Sequence, residues 1–477
     1  MNDITFYPAK KIAHLIKQKK ISAVEVAQIH LQLIGKVNPK INAIMQVDEQ
    51  RILNDAASAD ALLSSGKPCG PLHGVPISVK DNFLTKNIIT TAGSRAYEHN
   101  LPTEDATVVK RLREAGAIIL GKTNLPDFAM CWDTDSTAYG RTNNPYDLNR
   151  SAGGSSGGEA AIIASGGSAL GIASDGGGSI RLPAHYCGIA GFRPSRGLIP
   201  TSGLIPPTTG NFASGIVGHL LSVGPMARFV EDLIYCLPII AGKDGQDPNT
   251  FNTNTLNLSK NISINKLRVA FYHKNGSASP AKSIINTINN VTSTLEGAGA
   301  IINEEQPPGV TESWEIFSGL LCNDGGDGLN SFLSSLNMNH LPPPCEKALK
   351  VFSSNRYSLQ EFMSLWERWD LYRSRLTNFM NNYDVIICPA ASFTAIPNAQ
   401  SFTDPDYFSS ENYLAAYSLS GWPSVVVRAG TSEEGLPIGI QIIAQHGCDH
   451  LVLAVANYIE TSIGGWKIPQ KLFDSCL

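Results

Sequence analysis

The chain lacks the apolar run that a membrane helix requires. Nothing in it approaches about 20 consecutive apolar residues, and the best stretch, Leu233 to Ala241, contains Pro238. The N-terminus, Met1-Asn2-Asp3-Ile4, shows no basic segment ahead of an apolar one, so no secretory signal is expected. The nine cysteines are odd in number, scattered from Cys69 to Cys476, and form no CxxC or Cys/His cluster. That argues against a disulfide framework or a zinc site and for reduced, mostly buried thiols in a cytoplasmic protein. Charged residues make up only 16% and the net charge is −4. Such a balance disfavours a nucleic-acid or anionic-membrane binder. The one dense basic cluster (Lys10, Lys11, Lys17, Lys19, Lys20) reads as a solvated helix face. Histidine is scarce as well, with ten in the chain and only His185 near the serine-rich segments described below.

What is present is an alternation of elements. Residues 8–64 carry apolar positions at helical spacing, with Ser22 and Glu25 forming a capping box. From 65 to 242, short β-branched runs (Val75–Val79, Ile118–Leu120, Leu170–Ala173) alternate with helical stretches (Ala106–Glu114, Glu159–Ala164). Residues 243–382 begin with an Asn/Ser/Thr-rich stretch from Asn249 to Ser263. A strand at Leu267–Tyr272, a helix at Ala281–Ala298 and an aromatic-rich helical part from 311 follow, its stripe read as core. Strands return at Val385–Cys388, Val425–Val427 and Ile438–Ile443, before a last helix at His450–Ser462. The expected fold class is α/β, with one large mixed sheet covered by helices on both faces and residues 1–477 forming one domain.

Glycine is abundant, at 43 residues, and two of its clusters carry chemistry. Gly153-Gly154-Ser155-Ser156-Gly157-Gly158-Glu159 lacks the GK[ST] ending of a phosphate loop and the GxGxxG spacing of a dinucleotide site. It does match G-x-S-x-G, which leaves open a Ser-His-Asp hydrolase with Ser155 as nucleophile, His446 or His450 as base and Asp384 as orienter. In Asp175-Gly176-Gly177-Gly178-Ser179, the N–H groups of Gly176, Gly177, Gly178 and Ser179 sit on a chain free to turn them toward an oxyanion. Ser179 then stands as an attacking hydroxyl that needs a base. Lys80 follows the apolar run Val75–Val79, so a dry setting can bring its amine toward neutrality. Hydrogen bonds from Ser155 and Ser156 to the uncharged amine would assist.

These segments, together with Gly121–Asn124, Tyr139–Pro145 and Gly435–Gln441, closely resemble the amidase signature family over roughly 8–242 and 383–465. The resemblance implies a Ser–cisSer–Lys triad. In it Ser179 is the nucleophile, Ser155 (after a cis Gly154–Ser155 bond) the bridge and Lys80 the base. Gly176, Gly177, Gly178 and Ser179 form the oxyanion hole, Asp175 and Arg181 brace the loop, and Ser156 is a supporting residue. It implies hydrolysis of a small-molecule carboxamide without metal or organic cofactor, and, by family habit, a homodimer. Met130, Cys131 and Trp132 correspond to a pocket-lining region. At the position of Gly176 the family often has a larger residue. A glutaminase subunit of a tRNA-dependent amidotransferase shares these features and stays open, as does a noncatalytic binding protein.

Overall fold

The computed structural model describes residues 3–206, 212–252, 262–276, 278–338, 340–400, 409 and 412–476. Part of the Asn-rich stretch, residues 253–261, lies outside them. An eleven-stranded sheet runs through the molecule. In spatial order its strands are Ile44–Met45, Ile118–Thr123, Pro76–Lys80, Leu170–Asp175, Ser222–Ala227, Ala190–Arg193, Ser424–Thr431, Pro437–Ile443, Val385–Pro389, Arg268–Phe271 and Ile301–Glu304. Parallel pairing joins Ile118–Thr123, Pro76–Lys80 and Leu170–Asp175 near one end. It also joins Val385–Pro389, Arg268–Phe271 and Ile301–Glu304 at the other. The pairs between are antiparallel. This is the mixed α/β sheet the sequence predicts.

The central strands are buried along their whole length, as expected where helices cover both faces. The alternation within a strand shows the two faces directly. Along Val385–Pro389, Val385 and Ile387 enter one apolar cluster, while Ile386 and Cys388 enter another. The second cluster is built against the helix Leu359–Phe379, which buries Leu365, Trp369, Tyr372, Leu376 and Phe379 at alternating spacings of four and three. Capping boxes start this helix, at Ser358 and Glu361, and the helix Ala23–Ile41, at Ser22 and Glu25.

Element boundaries shift by one to four residues from the sequence expectations, most at the strand Ser424–Thr431. The strands Ile44–Met45, Ala190–Arg193, Ser222–Ala227 and Ile301–Glu304 had no clear apolar signal. Pro238 does not break its segment. It sits in the last turn of the helix Val230–Ile240, where only one backbone hydrogen bond is forgone. Among the described residues no helix is long and apolar enough to cross a membrane. All nine cysteines are free, and five of them are buried.

Candidate active site

Lys80 is the last residue of its strand, between the parallel strands that end in Thr123 and Asp175. It is wholly buried. Its Nζ donates to Ser155 Oγ at 2.7 Å and lies 3.2 Å from Ser174 Oγ and 3.3 Å from Ser174 O. Burial is the largest influence on this amine and lowers its pKa to about 7, with the charges of Asp175 and Glu159 pulling it back upward. Near neutral pH a substantial fraction is therefore uncharged and able to accept a proton.

Ser155 follows a cis Gly154–Ser155 peptide, as the resemblance implied, and precedes the helix Gly157–Ala164. Ser156 does not assist the amine. Its hydroxyl is buried and has no hydrogen-bond partner, and Ser156 is the residue from which that helix starts. Ser174 takes the place foreseen for it, held in turn by Asn82 Nδ2 at 3.1 Å.

The loop after Asp175 is braced by charge. Arg181 donates to both carboxylate oxygens of Asp175, Nε to Oδ2 at 2.9 Å and Nη2 to Oδ1 at 3.0 Å. The rest of the guanidinium is satisfied by Leu414 O, Gln441 Oε1 and Ser418 Oγ. Burial alone would raise the Asp175 carboxyl; Arg181, then Arg193, overcome it and hold the group well below the usual carboxylate range. The same carboxylate accepts from Gly178 N at 2.7 Å and Ile180 N at 3.1 Å. This corrects one expectation: the N–H of Gly178 is spent on Asp175. Those of Gly176, Gly177 and Ser179 have no acceptor in the described chain.

Ser179 is 8% exposed. It opens, with Ser155, Ser174, Gly176 and Gly177, onto a cavity of about 610 Å³. No hydrogen bond joins the Ser179 hydroxyl to Ser155 in this form. Met130, Cys131 and Trp132 line the cavity as expected from the sequence, and Trp132 Nε1 donates to Gly177 O at 3.1 Å. Phe128 and Ala129, at left-handed φ of 54° and 61°, continue the same wall. The region 311–382 contributes as well. The aromatic stripe is core, as read; Phe317, itself part of that core, also lines the cavity, together with Leu321 packed against it.

The Ser-His-Asp arrangement is not assembled. Ser155 takes its hydrogen bond from Lys80, Asp384 pairs with Arg268, and His446 lies against Arg196 O. Among the described residues no histidine lines the cavity, and no group of three or more His, Cys, Asp or Glu side chains is gathered as a metal would need.

The family model described as Amidase matches residues 25–453. The chain belongs to the amidase family. It is 31% identical to a glutamyl-tRNA(Gln) amidotransferase subunit from Carboxydothermus hydrogenoformans, over 98% of this chain and 100% of that one. It is 32% identical to an acylamidase from Rhodococcus erythropolis, over 95% and 94%. A solved fatty acid amide hydrolase superposes with a TM-score of 0.86 at 26% identity, covering 97% of this chain and 86% of the other. The protein is accordingly an enzyme of the hydrolases that act on amide bonds.

Several residues of this amidase site were not singled out from sequence. Glu159 is fully buried beneath the lysine's strand, its oxygens accepting from Ser78 Oγ and, at 2.7 Å, from Thr123 Oγ1. Burial pushes its carboxyl up to about 7. Ser78 and Lys80 are two apart on one strand and share a face, so Glu159 ties that strand to the helix that follows Ser155. Beside it, Lys122 and Asp81 form a buried pair at 3.8 Å. The signal for Glu159 was a carboxylate inside an otherwise apolar helix; for Ser78 and Thr123 no pattern distinguishes them.

Proposed function

We propose that this amidase hydrolyses carboxamides with an apolar acyl group, through an acyl-enzyme on Ser179. The observation that carries the reading is a buried lysine near neutrality, hydrogen-bonded to Ser155 at the rim of an apolar cavity that also exposes Ser179. Lys80 accepts the proton of Ser155 as Ser155 accepts that of Ser179, and Ser179 Oγ attacks the carbonyl carbon. The Ser155–Ser179 leg closes when substrate is seated; such contacts tighten in complexes. The N–H groups of Gly176, Gly177 and Ser179 receive the oxyanion. The C–N bond then breaks as Lys80, through Ser155, returns the proton to the leaving nitrogen. Water attacks the resulting ester, freeing the acid and restoring Ser179.

Met130, Cys131, Trp132 and Phe317 favour an apolar acyl group over the polar one of glutamine. The sheet threading both ends of the chain supports taking residues 1–477 as one amidase domain. A cytoplasmic location is supported by nine unpaired thiols, and a homodimer by the family resemblance alone. The reading is tested with the purified chain. A fluorophosphonate should add to Ser179, seen on the intact protein by mass, and aryl-alkyl amides should be turned over. Ammonia release from glutamine without turnover of apolar amides would instead identify the amidotransferase role.

A further inference from the structure

Three glycines precede Ser179, and packing demands only two of them. A Cβ on Gly177 would lie 2.7 Å from Phe317 Cζ, and one on Gly178 would lie 2.5 Å from Leu414 Cδ1. Gly178 also has φ +120°, a backbone region that side chains avoid. Gly176 differs on both counts. Its φ is not left-handed, and a Cβ there would have a single neighbour within 4 Å, Leu221 Cδ1 at 3.5 Å, an ordinary contact. Glycine is the residue that loses most conformational freedom on folding, so one that neither sterics nor dihedral requires asks for another reason. Gly176, Leu221 and Ser179 line the same cavity, so the missing side chain leaves volume open to substrate.

We infer that Gly176 is a specificity-determining residue: the room it leaves beside the carbonyl under attack receives a substituent on the adjacent acyl carbon, making α-branched acyl amides substrates. The inference rests on the amide-hydrolase reading above. The side of the scissile bond follows from polarity. Lys80, Ser155, Ser174 and Asn82 gather where the leaving nitrogen must collect its proton. Leu221, Leu220 and Phe317 form an apolar wall, which belongs to the acyl part. A Cβ on residue 176 would face Leu221 on that wall.

The test uses two isomeric amides, hydrocinnamamide (unbranched) and hydratropamide (α-branched). Their kcat/KM values are measured for the wild type, Gly176→Ala and Gly176→Val, each normalised to the sites that a fluorophosphonate labels. The branched-to-unbranched ratio should fall about tenfold with Gly176→Ala, the scale of one methylene in a tight pocket, and further with Gly176→Val. A wild type inert toward both amides overturns the proposed turnover of apolar acyl amides on which this inference rests. A wild type active on them, with a ratio that stays put in the variants, overturns this inference alone. If the valine variant fails to take the label, the alanine ratio decides, because its added methyl makes only an ordinary contact.

Discussion

The two sides of the cavity are built on opposite principles. One side comes from strand ends and glycine-rich loops, and its polar groups are wired to fixed partners: Lys80 to Ser155 and Ser174, Asp175 to Arg181 and Gly178. The other comes from helices at Ser313–Leu321, Asp327–Ser335 and Pro343–Phe352, and presents side chains such as Phe317, Phe332 and Leu349 that need only be apolar and of suitable size. The difference follows from what each side must do. Moving a proton demands hydrogen-bond geometry within tenths of an ångström, whereas apolar contact is non-directional. A single change on the wired side should therefore abolish function, and one on the apolar side should redirect it.

The sharpest way to break that contrast is Lys80→Ala, expected to lower kcat/KM by about a thousandfold or more in steady-state assays with the fold intact by circular dichroism, since triad groups act as a unit. Near-normal turnover would remove the wired side from the chemistry. Next in size is Arg181→Met. It leaves the Asp175 carboxylate buried without its main partner, which should cost about 3–5 kcal/mol, read as a lower midpoint in denaturant, with activity lost as the loop slackens. A midpoint unchanged from wild type would show the brace to be dispensable.

A smaller effect is expected from pH. The reaction uses uncharged Lys80, so the sign is that activity rises with pH through the lysine's folded pKa of about 7 and falls about tenfold per unit below it. Burial sets this value, with Asp175 and then Glu159 the charged neighbours that oppose it. A kcat/KM profile flat between pH 6 and 8 would refute a near-neutral base. The smallest change belongs to the apolar side. Phe332 meets Phe128 edge-on, with ring centroids 5.1 Å apart, so Phe332→Ala lengthens the cavity. Preference should move toward longer acyl chains by about fourfold per added methylene accommodated, from about 0.8 kcal/mol each. Turnover of short amides should change little; equal losses across the series would mean that the aromatic pair serves the fold.

The reactive side was largely legible in the sequence. Lys80, Ser155, Ser179, Asp175 and Arg181 lie in short segments whose residue types are unusual together, and the structure brings all five to one place. Two details were not legible. Ser156 and Ser174 were equivalent as serines near glycines, and only the start of the helix at Gly157 and the strand end at Asp175 decide which one faces Lys80. The N–H of Gly178 looked as available as its neighbours until the reach of the Asp175 carboxylate claimed it. The apolar wall was hardly legible at all, since Phe317 and Trp369 carry the same signal in a helical stripe and both join the core, and only packing brings Phe317 to the cavity as well.

Sequence by itself determined the class of fold, the family and which groups could react, because apolar periodicity and rare combinations of reactive residues are local properties of a chain. Tertiary structure alone decided which hydroxyl meets the amine, which peptide hydrogens stay free, and how large a space lies before Ser179. Those depend on the burial and approach of segments far apart in the chain, and hydrogen bonding, proton affinity and cavity volume are all consequences of that approach.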